Sequence, residues 1–187
     1  MFQVRLHGRG GQGVVTAAEM LSIAAFLEGR HAQAFPSFGS ERMGAPVVSF
    51  CRIDDKPIRL REPILEPDAV IVQDVTLLGA VPVFQGLSPK GYVLVNSAKT
   101  LAELGLADAL DKMPGGHVRV VPATELAVRH VGRPVPNAAL LGAFAGVTGM
   151  LHFASVEAAI REKFKGAVGD GNVTAARAAY DDVVVPA

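Results

Sequence analysis

The sequence predicts an α/β fold: a three-layer sandwich with a mostly parallel central sheet and an antiparallel hairpin. Three observations predict it. An alternating strand runs straight into a glycine cluster and a helix, strands and helices alternate through the first two thirds, and helices dominate the end. The 187 residues suit one domain, residues 1–187, in which half the side chains are apolar and 18 Lys plus Arg balance 18 Asp plus Glu. Such a composition supplies a sizeable core and excludes a disordered tail.

Phe2, Val4 and Leu6 alternate with polar residues as far as His7, the period of a half-buried strand. From Gln12 to Glu28, apolar residues including Val15, Ala18, Leu21 and Ile23 recur at helical spacing, and Gly29 stands where a helix is usually closed. Val47 to Ile53 reads as a strand. Asp54-Asp55-Lys56-Pro57 then supplies turn chemistry before the short segment Ile58 to Leu60, so the hairpin is expected there. Ala69 to Gln73 and Tyr92 to Val95 are short apolar runs flanked by Pro or Gly, which suits strands covered on both faces, and His117 to Val121 makes another. Helices are predicted over Thr124 to Val131, Asn137 to Leu151, Ser155 to Phe164 and Val173 to Asp182, each with Ser, Thr or Asn in or near a capping position. Gly142, Gly146 and Gly149 should let another backbone approach the second of these, in the core or on a companion chain. Its apolar run, Ala138 to Leu151, falls short of the ~20 residues that span a bilayer.

Several function classes drop out. Zero net charge with no run of Lys or Arg removes the electrostatic signature of a nucleic-acid or anionic-membrane binder. A lone Cys51 permits no internal disulfide, no Cys-rich zinc site and no iron–sulfur cluster held by this chain, and a reducing cytoplasm fits it. The amino terminus carries no secretory pattern. His7, His31, His117, His130 and His152 lack metal-ligand spacing, Asp54 and Asp55 read as turn carboxylates, and Cys51 reads as an inert buried thiol. No catalytic or metal-ligating residue is expected.

Gly8-Arg9-Gly10-Gly11-Gln12-Gly13 satisfies G-x-G-x-x-G between a predicted strand and a predicted helix, where backbone N–H groups could meet a phosphate. The acidic residue that a dinucleotide site places ~20 residues further on is missing from Gln33-Ala34-Phe35-Pro36-Ser37. The turn therefore stays open between a dinucleotide, another phosphate group, a subunit contact and plain packing. Gly169-Asp170-Gly171 resembles the GDG of thiamine-diphosphate enzymes, but the 16 residues after Gly171 leave no room for the second magnesium ligand at that motif's spacing. A loop or helix N-terminus with Asn172 as cap is the expectation. Ala34 to Pro46, with two glycines, two prolines, two aromatics and the pair Glu41-Arg42, reads as a shaped functional loop between strands. Gly8, Gly10, Gly11, Gln12, Gly13 and Arg42 are the candidate binding residues, as phosphate or subunit contacts, and the turn and loop should meet at the C-terminal edge of the sheet.

Three segments carry a resemblance: Gly8 to Val14, Phe35 to Pro46, and Phe50-Cys51-Arg52-Ile53-Asp54. With the later Pro134-Val135-Pro136-Asn137, Leu140 to Phe144, Lys163-Phe164-Lys165-Gly166, Asn172 and Tyr180, they are together similar to the gamma subunit of 2-oxoacid:ferredoxin oxidoreductases, most closely the pyruvate enzyme or pyruvate synthase. Met43 stands where that family often carries Arg or Gly. The resemblance implies a complex that converts a 2-oxoacid and coenzyme A to acyl-CoA, carbon dioxide and reduced ferredoxin. Companion alpha and beta chains would bind thiamine diphosphate and Mg2+, a ferredoxin-like delta chain would carry 4Fe–4S clusters, and ferredoxin or another acceptor would take the electrons. This chain's share would be assembly and a part of the coenzyme A path. Pyruvate is the expected substrate, with an aromatic 2-oxoacid such as phenylglyoxylate as the alternative. A free-standing nucleotide-binding reductase domain and a purely structural interaction module are the rival readings.

Overall fold

The computed structural model describes residues 1–37 and 42–184. Six strands form one sheet: β1 (Phe2–Arg9), β2 (His31–Pro36), β3 (Pro46–Asp54), β4 (Ala69–Val72), β5 (Tyr92–Asn96) and β6 (Val118–Val121), in the order β2-β3-β1-β4-β5-β6. β3 runs antiparallel to both β2 and β1, in register from Phe2 opposite Ile53 to Arg9 opposite Pro46, while β1, β4, β5 and β6 are parallel. The strand period sorts side chains between the two faces. On one face Val4, Leu6 and Ile71 meet α1 (Val14–Leu27), α3 (Ala123–Val131), α4 (Asn137–Thr148), α5 (Phe153–Lys163) and α6 (Gly166–Val184), in a core that includes Leu21, Phe144 and Ile160. On the other, Val70, Val72, Val93 and Val95 are covered by Leu77, Val83, Leu106 and Leu110, from a 3-10 turn at Val75–Leu77, the loop after it and α2 (Ala107–Leu110). The fold has three layers, and the third is thin and mostly irregular.

The hairpin lies elsewhere than expected. Residues 58–60 form no strand, and the antiparallel partner of β3 is β2, which takes Ala34, Phe35 and Pro36 from the predicted loop. Pro57 and Pro63 bracket the missing strand and can donate nothing to a ladder. Instead the segment crosses the second face and is pinned by two buried guanidiniums, Arg52 donating to the Glu62 carbonyl at 2.6 Å and Arg5 to the Ile64 carbonyl at 3.3 Å.

The predicted caps are also displaced. α3, α4 and α5 begin after Pro122, Pro136 and His152, none of which makes a side-chain cap bond. The amide of Thr124 is met from the neighbouring strand, by Asn96 Oδ1 at 3.0 Å. Gly169-Asp170-Gly171 lies in the first two turns of α6, close to the expected helix start, but Asn172 donates back to the Val168 carbonyl at 2.9 Å instead of capping. Glycine serves contact there: a Cβ on Gly171 would overlap the His130 carbonyl. Gly142 is likewise pressed on the α6 backbone at Ala176, so the partner of α4 lies within the chain. Gly149 is the exception, since it closes α4 at φ 60° with open space around its Cα.

Candidate functional site

The glycine turn follows β1 at the C-terminal edge of the sheet, and the far arm of the predicted loop lies on it. Gly10 donates to the Ala45 carbonyl at 2.9 Å, Gly44 donates to the Gly10 carbonyl at 3.1 Å, and Gly10 bridges Met43. The expected meeting of turn and loop thus holds for Arg42 to Ala45, whereas Phe38 to Glu41, including the candidate Glu41, lie outside the described residues. Each glycine is spoken for by protein. A Cβ on Gly8 would stand 2.5 Å from Val14 Cγ2, one on Gly10 would overlap the Arg42 carbonyl, one on Gly11 would lie 2.8 Å from Met43 Sδ, and one on Gly13 would lie 2.5 Å from Asn137 Nδ2. Gly11 and Gly13 also take φ of 92° and 71°, which side chains resist.

Polar residues outside the motif brace this arrangement. Arg9 donates to the Gly44 carbonyl at 3.0 Å and to Thr76 Oγ1 at 2.8 and 3.0 Å, and its Nε lies 3.5 Å from Asp74 Oδ2. Gln12 turns back, its Oε1 accepting from the Arg9 amide at 2.8 Å while its Nε2 donates to Asp74 Oδ2 at 2.7 Å. Burial alone would raise the Asp74 pKa, but the bonds from Thr76 and Gln12 and the charge of Arg9 outweigh it and hold the carboxyl below its usual range. Gln12 is therefore a strut, not an open ligand group. Arg42 and Met43 remain outward, Met43 with 86% of its surface exposed.

Sequence reasoning missed Arg9, Asp74 and Asn137. Asp74 had a signal, a carboxylate two residues past a buried parallel strand, which is where such sheets build sites. Asn137, buried and 3.4 Å from the Gly13 carbonyl, had none, because a fold is needed to bring 13 and 137 together.

The topology explains the missing ribose acid. In a dinucleotide fold the strand after the first helix lies directly beside the first strand, whereas here β3 stands between β2 and β1 and runs antiparallel to both. The chain's own residues do not fit the thiamine and cluster groups either. Asp170 sits in α6, paired with Arg161 at 2.6 Å, and Cys51 is fully buried with its thiol pushed up to about 12 by burial. Among the described residues no three of His, Cys, Asp and Glu converge as a metal site, and no helix is long and apolar enough to cross a membrane. What the geometry offers is a rigid platform: loop 42–45 locked on the turn, with Arg42 and Met43 presented beside the N-terminus of α1. That helix carries no side-chain cap and no acidic residue in its first turn.

Residues 3–182 match the family described as pyruvate ferredoxin/flavodoxin oxidoreductase. The chain is 50% identical over 185 residues to the common subunit gamma of the pyruvate/ketoisovalerate oxidoreductases of Pyrococcus furiosus, covering 99% of this chain and 98% of that one. It is 48% identical to pyruvate synthase subunit PorC of Methanocaldococcus jannaschii, covering 98% of each. The crystal structure of pyruvate oxidoreductase subunit PORC from Thermotoga maritima superposes with a TM-score of 0.80 at 37% identity, covering 96% of this chain and 95% of that one.

Proposed function

The chain belongs to the pyruvate ferredoxin/flavodoxin oxidoreductase family as a gamma subunit, and from that premise we propose that it works as one gamma-type domain that docks companion chains through its glycine turn and loop. The observation that carries the assembly role is the filling of the turn. Protein atoms occupy the space above Gly10, Gly11 and Gly13, and the segment that fills it above Gly10 and Gly11 turns Arg42 and Met43 outward. An exposed methionine on a braced loop suits a protein partner better than a phosphate, because its thioether is apolar and adaptable.

In this reading the complex oxidatively decarboxylates a 2-oxoacid with coenzyme A, giving acyl-CoA and carbon dioxide and passing two electrons to ferredoxin or another acceptor. Thiamine diphosphate with Mg2+ supplies the electron sink, 4Fe–4S clusters carry the electrons, and both belong to alpha, beta and delta companions. Pyruvate is the substrate we assign, in the cytoplasm. A relative shared between pyruvate and ketoisovalerate oxidoreductases supports leaving the choice of 2-oxoacid to the companions.

A second role in holding the diphosphate of coenzyme A is favoured by one observation, the uncapped N-terminus of α1 next to Arg42. Arg42→Ala and Met43→Asp in the whole complex separate the two. Loss of this chain from the complex supports docking. A raised KM for coenzyme A with assembly intact supports the second role, and unaltered assembly with unaltered kinetics rejects both.

A further inference from the structure

On the second face of the sheet, over β1 and β3, an apolar groove of about 270 Å³ has Val48, Phe50, Ile64 and Val81 among its walls, and none of its lining residues is acidic. Arg5 and His7 form its floor, 7% and 6% exposed. Arg5 donates to His7 Nε2 at 3.0 Å and spends its remaining donors on the carbonyls of Ile64, Leu65, Val83 and Gln85. It makes no ion pair among the described residues. A positive charge is thus buried with dipoles around it and, among the described residues, no counter-ion.

The pair also sets a tautomer. A guanidinium can only donate, so His7 Nε2 must accept, and the proton of the neutral ring sits on Nδ1. The ring is kept neutral by burial first and the charge of Arg5 second, which bring its pKa down to about 4. His7 Nδ1 is buried and has no hydrogen-bond partner among the described residues. An unmatched buried donor calls for a reason, and here it coincides with unbalanced positive charge and apolar walls.

We propose that this groove binds a small apolar carboxylate, aliphatic or aromatic, one oxygen of which accepts from His7 Nδ1–H while its charge balances that of Arg5. The volume lies near the lower end of small-molecule sites, and a few convergent polar groups in an apolar pocket are their usual make-up. Phosphates and other polyanions are disfavoured by the walls, and a neutral ligand would leave Arg5 unbalanced. The site is separate from the turn and loop, so it stands or falls independently of the assembly role.

The test uses the full chain labelled with 15N at histidine, titrated with 3-methylbutanoate, with benzoate, and with 3-methylbutanamide as the uncharged isostere. Both acids should shift the His7 Nδ1–H resonance saturably, and the amide should bind about tenfold more weakly, since charge-assisted hydrogen bonds are roughly twice as strong as neutral ones. Val48→Trp should fill the groove and abolish the shift while the His7 resonance persists, with Val81→Phe as the second filling variant if the first fails to fold. A resonance that neither acid moves and that contacts only water overturns the proposal, as does an amide that binds as tightly as the acid.

Discussion

Replacing Gly142 by alanine should break the contact in which α4 presses on the backbone of α6. A Cβ built there lies 2.6 Å from the carbonyl carbon and 2.8 Å from the Cα of Ala176, with the carbonyl oxygen nearer still. The obstacle is backbone, so no rotamer can relieve it, and α4 and α6 must separate by about 1 Å, which forfeits a quarter to a half of the dispersion energy along their contact. Overpacking of this kind costs ~1–3 kcal/mol or more, and the better helix propensity of alanine returns up to ~1 kcal/mol. A net loss of about 1–2 kcal/mol is expected, a fall in Tm of roughly 2–8 °C for a chain of this size. Gly146→Ala provides the comparison. There the nearest obstacle is Val183 Cγ2 at 2.6 Å, the end of a side chain that can move, so its loss should be clearly smaller. Thermal and urea unfolding followed by circular dichroism measure both. A Gly142→Ala protein as stable as the parent, or more stable than Gly146→Ala, would refute the packing.

Gly13→Ala should cost ~1–3 kcal/mol, from its φ of 71° and the clash with Asn137, and Asn137→Ala in the same chain should recover only the clash. Asp74→Asn should lower stability by ~1–2 kcal/mol and loosen loop 42–45 by releasing Arg9, read as faster hydrogen exchange at the Gly10 and Gly44 amides. His7 ties stability to pH: its folded pKa, about 4, lies below the unfolded value near 6.5, so between these values only the unfolded chain takes up the proton. Its contribution is complete above pH 6.5 and falls by up to ~3 kcal/mol as the pH drops to 4. His7→Gln keeps an acceptor for Arg5, so the difference between parent and variant in urea unfolding should shrink as the medium is acidified. A difference that does not change with pH would mean that His7 titrates normally.

Much of the architecture was legible because hydrophobic period and glycine position are local signals. The alternation at Val4 and Leu6 and the run Tyr92 to Val95 lie within their strands, the run Ala69 to Gln73 overshoots β4 by one residue, and the glycine turn lies where the strand and helix required it. The hairpin was misplaced because both Val47–Ile53 and its true partner are flanked by turn residues. Only the long-range pull of Arg52 and Arg5 on Glu62 and Ile64 turns the stretch around 58–60 into a covering segment. Gly169-Asp170-Gly171 lies near a helix start as expected, but the use of its glycines was not legible, because the contacts that make glycine useful in the first turns of α6 come from His130 and Phe164. At the turn, the pattern located the junction of strand and helix but not what fills it, since whether a glycine faces a ligand or a neighbouring backbone depends on Arg42, Met43 and Asn137 arriving from elsewhere.

The role as a docked gamma subunit is tested most directly by native mass spectrometry of the untagged chain drawn from its own cells through a companion-independent purification. The expected result is an assembly that contains this chain with iron–sulfur-bearing and thiamine-binding companions and oxidises pyruvate with coenzyme A, while the chain separated from it is colourless and inactive. A free monomer, or a chain that alone binds stoichiometric iron or turns over a 2-oxoacid, would contradict it.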